Sequence, residues 1–74
     1  LTFKEKRELD DLPKGIEAME ARQSELEAEI AAPAFYQQGH DISEARLQAL
    51  ADVVAELEMA YARWESLSDR AGTT

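Results

Sequence analysis

The chain contains no cysteine, which removes disulfides and thiolate metal sites together. It has two prolines and three glycines in 74 residues, so each interruption carries information. No apolar run approaches the ~20 residues that a membrane span needs. The opening "LTFKEKREL" has no apolar stretch of the secretory type, and its lack of a starting Met points to a piece of a longer protein. Basic residues are scarce, eight against sixteen acidic, for a net charge of -8. That balance opposes strong autonomous nucleic-acid binding. No glycine-rich loop ends in Lys-Ser or Lys-Thr, so no phosphate cradle is expected here. No catalytic residue is expected either, because paired catalytic carboxylates need a concave site that a narrow helical rod lacks.

The charge is unevenly distributed. In residues 1–14, Lys4, Lys6, Arg7 and Lys14 balance Glu5, Glu8, Asp10 and Asp11. The whole net charge therefore falls in residues 15–74, and any basic function concentrates near the start.

Two long Ala/Glu-rich runs flank "APAFYQQGH". Thr2 and Glu5 have capping-box spacing, so a short helix is expected over residues 1–11. Pro13 suits a first helical turn and not an interior, so a second helix is expected over 12–32. Its apolar positions Leu12, Ile16, Met19, Leu26 and Ile30, with Gln23, step by 4, 3, 4, 3 and 4, a heptad seam. Pro33 stops it, residues 33–40 form the turn, and Gly39 supplies backbone freedom. Asp41 and Glu44 repeat the box-like start for a third helix over 41–70, leaving 71–74 as a tail. The third helix's seam reads Leu47, Leu50, Val54, Leu57, Tyr61 and Trp64, with Val53 and Leu67 flanking.

Folding about residue 38 pairs positions whose numbers add to about 76: Ile30 with Leu47, Leu26 with Leu50, Leu12 with Trp64. The expected fold is all-α, an antiparallel two-helix coiled-coil hairpin in a single domain, with the short N-terminal helix packed at its base. Phe3 and Leu9 are expected to cover Tyr61, Trp64 and Leu67. Phe35 and Tyr36 are expected to close the tip layer of Ile30, Ile42 and Leu47. The break between the runs favours this monomeric hairpin over a rod shared by two chains.

The ends of the seam carry a resemblance. "LTFKEKRELDDLP", "AAPAFYQQ" and "AYARWESL" resemble, in order and spacing, the opening, turn and closing elements of the C-terminal domain of ABC-F ATPases of the Uup kind. Phe3, Ala32 and Ser66 stand where that family commonly has Tyr, Asp and Glu. The resemblance implies a cytoplasmic parent with two ATP-binding cassettes, which hold ATP and Mg, and no membrane domain. It also implies DNA as a partner, or ribosomal RNA or protein as second choice, reached through the parent.

The candidate nucleic-acid-binding residues are Lys4, Lys6, Arg7, Lys14 and Arg22, since phosphate contact needs clustered Lys and Arg. The ordinary reading is a solvated face with i,i+4 pairs such as Lys4–Glu8. A structural or protein-docking coiled coil without a DNA role is the alternative. Tyr61 and Trp64, at seam spacing, read as core and not as base-stacking platforms. His40 with Asp41 and Glu44 is too sparse for a metal site, and no cofactor is expected within the fragment.

Overall fold

A computed structural model describes residues 1–72. Helix α1 spans Phe3–Ala31, a short 3-10 helix spans Phe35–Gln38, and helix α2 spans His40–Gly72. The described residues form an all-α antiparallel hairpin with overall dimensions of 55 × 16 × 16 Å.

Thr2 starts α1. The Glu5 amide donates to the Thr2 hydroxyl at 3.1 Å, and the Thr2 amide donates to Glu5 Oε1 at 3.1 Å. Two of the first turn's free amides are thus satisfied, as the expected capping box requires. The helix does not stop at residue 11, however. It runs through Pro13, so the expected short helix is the first turns of α1, packed at the base but not separate. Proline removes one backbone donor and crowds the carbonyl four residues earlier, at a cost of about 3 kcal/mol. Cross-helix ties offset that cost. Arg63 grips Glu8, Arg70 grips Glu5, and Leu67 is fully buried.

The seam on α1 is the expected one, extended toward the N-terminus. Glu5, Leu9, Leu12, Ile16, Met19, Gln23, Leu26 and Ile30 are all buried or half-buried. On α2 the seam differs. It reads Ser43, Arg46, Leu50, Val53, Leu57, Ala60, Trp64 and Leu67, in steps of 3 and 4. The expected seam kept Leu50, Leu57 and Trp64 but substituted Leu47, Val54 and Tyr61, which lie one residue to the side. Val53 and Leu67, expected to flank, are core.

The aromatics divide likewise. Phe35 is fully buried, whereas Tyr36 is 71% exposed and meets the Phe35 ring edge-on, with centroids 4.8 Å apart. Phe3 is 81% exposed, because a continuous α1 carries it away from the partner helix. Tyr61 and Trp64 are not core: they remain 45% and 41% exposed.

At the tip, the Phe35 amide donates to the Ala32 carbonyl at 3.0 Å. The buried Ser43 hydroxyl donates to the Phe35 carbonyl at 3.2 Å, which fastens the turn to α2. Gly39, with φ of +104°, precedes α2 and accepts from the Ser43 amide at 3.1 Å. Helix α2 therefore starts before the expected Asp41–Glu44 box, and Asp41 lies within its first turn.

Candidate nucleic-acid interface

Two seams of heptad spacing assign every other residue to a flank. With the seam positions called a and d, α1 carries Pro13, Glu20 and Glu27 at e and Glu8, Arg22 and Glu29 at g. Helix α2 carries Leu47, Val54 and Tyr61 at e and Glu56, Arg63 and Arg70 at g. Two contacts fix how the flanks meet. The Tyr61 hydroxyl donates to Glu20 Oε2 at 2.9 Å, joining e to e. Arg63 Nε and Nη2 donate to the two Glu8 oxygens at 2.6 and 3.0 Å, joining g to g. Each flank therefore continues across both helices.

The flanks differ in charge. On the e and b positions, α1 places Asp10, Glu17, Glu20 and Glu27 and α2 places Glu44, Glu58 and Glu65, with Lys6 the only cation among the described residues there. This flank sums to -6. The g and c positions hold Lys4, Arg22, Arg63 and Arg70 against Glu8, Asp11, Glu25, Glu29, Asp52 and Glu56, a sum of -2. Arg7 and Lys14 stand on the outer ridge of α1, seven residues apart.

Most arginines are already committed. Arg46 pairs with Glu29 at 3.1 Å, and Arg22 pairs with Glu25 at 3.4 Å. Arg70 holds Glu5 with Nη1 at 2.5 Å and Nη2 at 3.1 Å. Arg63 is also 4.0 Å from Glu5. The two ion pairs Glu29–Arg46 and Glu5–Arg70 each have residue numbers adding to 75, beside the 76 expected from the seam. This network sets the local acidities. The Arg70 hydrogen bond, then the Thr2 amide, hold the Glu5 carboxyl down to about 2. The Arg63 fork lowers the Glu8 pKa, with a smaller pull from Lys4. In return, the Glu8 hydrogen bond raises the Arg63 pKa. The bond to Glu20 raises the Tyr61 phenol.

The five sequence candidates are all exposed along α1. Lys4 lies on the g/c flank and Arg7 and Lys14 on the neighbouring ridge. Together they cover about 15 Å at 1.5 Å per residue. These three and Lys6 form no ion pair among the described residues. Arg22 shares the Lys4 flank, about 12 Å beyond Lys14. Lys6 stands apart on the acidic flank and lines a shallow depression with Leu1, Leu9, Asp10 and Ala71. The sequence reading missed Arg46, Arg63 and Arg70 as the residues that hold the helices in register. The available signal was Arg70, which falls beside Glu5 under the folding rule, whereas Arg63 and Glu8, whose numbers add to 71, do not meet under it. His40 pairs with Glu44 one turn on, at 3.2 Å and well exposed.

Three comparisons bear on this arrangement. The sequence matches the family described as ABC transporter C-terminal domain over residues 1–69. It is 54% identical over 70 residues to two Haemophilus influenzae proteins, "ATP-binding protein Uup-like" and "ATP-binding protein Uup". These matches cover 95% of this chain and 15% and 11% of the relatives. It is 37% identical over 67 residues to "ATP-binding protein Uup" of Escherichia coli, covering 90% of this chain and 11% of that protein. The chain thus spans only a small part of these relatives' length. No solved structure matches.

Proposed function

The chain belongs to the ABC transporter C-terminal domain family, and from that premise we propose that it is the non-catalytic, nucleic-acid-binding arm of a longer, cytoplasmic ATP-binding protein of the Uup kind. ATP and its Mg2+ would bind, and hydrolysis would occur, in cassettes outside these 74 residues. The relatives' names, which specify ATP binding, support that division of labour. Among the described residues no helix is long and apolar enough to cross a membrane.

One observation carries the nucleic-acid reading: Lys4, Arg7 and Lys14 project from one end of the rod without ion-pair partners among the described residues, while Arg22, Arg46 and Arg63 are engaged by nearby carboxylates. Unpaired cations exchange counterions for phosphates, whereas arginines already held by carboxylates must first break those contacts. The cations lie over the stretch where acidic and basic residues balance, so a phosphate backbone approaching there avoids the charged middle of the rod. Such contacts position without reading sequence. DNA is the proposed partner because the family resemblance implies it, and phosphate contacts of this kind are compatible with it.

The test is binding of the 74-residue chain and of the longer protein to duplex DNA across a salt series, with ribosomes in parallel. Three phosphate contacts give a slope of roughly -3 in log K against log salt. Lys4→Glu, Arg7→Glu and Lys14→Glu should each shrink the slope by about one, while Lys6→Glu should change it less. Retention of full DNA affinity by the longer protein after removal of this segment would sink the reading, and binding confined to ribosomes would replace DNA by ribosomal RNA or protein.

A further inference from the structure

We propose that the e/b flank of the hairpin is a docking groove for a basic amphipathic helix of a partner protein. The argument starts from a departure from the usual coiled-coil pattern. In a two-stranded coil the e positions are commonly charged. Here α2 places Leu47, Val54 and Tyr61 at consecutive e positions. A helix that is apolar at e as well as along its seam carries a stripe broader than a two-stranded seam uses. Among the described residues α1 is the one long helix packed against it.

Leu47 and Tyr61 stay 41% and 45% exposed, and Val54 is half-buried between them. Shallow depressions lie at both ends of the stripe. One is lined by Tyr36, His40, Ser43, Glu44 and Leu47. The other is lined by Pro13, Ile16, Glu20, Tyr61 and Trp64. Leu47 and Tyr61 are two heptads apart, about 21 Å along the helix. A helix of four turns with apolar residues at seven-residue intervals spans them.

The rim chooses the occupant. Glu44, Glu58 and Glu65 border the stripe on α2, and Glu17, Glu20 and Glu27 border it on α1. The flank carries -6. A phosphate backbone is repelled there. A second copy of this chain would set two such flanks against each other. Lys and Arg bordering an apolar stripe complement it, and helix-in-groove recognition has this form.

The probe is a synthetic 21-residue helical peptide with Leu at heptad positions and Lys and Arg on either side. Its controls are a scrambled peptide of equal composition and a version with Glu replacing Lys and Arg. Binding to the 74-residue chain is measured by fluorescence anisotropy without nucleic acid, so the outcome is separate from that of the DNA proposal. The basic amphipathic peptide should bind at least tenfold more tightly than either control. Glu58→Lys with Glu65→Lys should weaken it about tenfold, whereas Asp52→Lys with Glu56→Lys, on the other flank, should change it less than twofold. Leu47→Gln, at an exposed position, should weaken it about fivefold with the helical circular dichroism intact. Equal binding of the scrambled peptide, equal losses from the two charge reversals, or dimerisation of the chain that masks Leu47 would overturn the proposal.

Discussion

Trp64 occupies a seam position, yet it lines a shallow depression with Pro13 and Ile16 and stays 41% exposed. A fully buried ring is worth about 3–5 kcal/mol against Ala. Only part of that area leaves water here, so Trp64→Ala should cost about 2 kcal/mol, read as a lower urea midpoint at unchanged slope. Acrylamide should also quench its fluorescence in the folded chain. Glu5 titrates in another regime. Its folded pKa is about 2 against an ordinary value of 4.5, chiefly through Arg70. A depressed carboxyl contributes stability that is complete above its unfolded pKa and is lost as pH falls through the folded one. The stability difference between the natural chain and Arg70→Gln should thus be steady above about pH 5 and shrink toward pH 2. Denaturation at a series of pH values checks this, and a constant difference would remove Glu5 as its source.

At the scale of helices, the lesson of Pro13 is that a local rule yielded to tertiary ties. Capping-box spacing at Thr2 and Glu5 was readable and correct. The break after residue 11 was not, because nothing local reveals that Glu5 and Glu8 are held from 65 and 55 residues away. Pro13→Ala should remove the cost of an interior proline and raise stability by about 3 kcal/mol, read as a higher thermal midpoint. A lowered midpoint would show that α1 depends on the proline. The α2 frame was ambiguous for a different reason. Leu47, Val54 and Tyr61 form a second apolar row beside the true seam, and bulky residues advertise themselves more loudly than Arg46 and Ala60. Leu50, Leu57 and Trp64 are common to the expected and the observed seam, which is why the folding rule survived the wrong choice. The turn was half legible. Phe35 closes it from inside, so Phe35→Ala should cost about 3–5 kcal/mol, while Tyr36→Ala, at an exposed ring, should cost well under 1 kcal/mol. Parallel melts distinguish the two, and equal losses would place Tyr36 in the core as well.

The whole molecule is a rod 55 Å long and 16 Å across, and its charge is sorted by side as much as by end. The opening cations were legible in the sequence as a cluster. Their division was not, because it depends on which face each helix gives to the other. That division sets an expectation for the proposed complex with DNA. Acylation of Lys4 and Lys14 should be suppressed when DNA is bound, while Lys6, on the other flank, keeps reacting. Mass spectrometry of the modified peptides reads this directly, and uniform protection of all three lysines would contradict a one-sided footprint.

A body whose charge is lopsided across its width has a sideways electric moment. Near a strong polyanion, such a rod feels a torque about its long axis. It would roll until the glutamate-studded edge points outward, much as a compass needle settles before it touches anything. The hairpin would therefore reach its target already turned to the correct face, and whatever bound next would find the opposite edge presented to it.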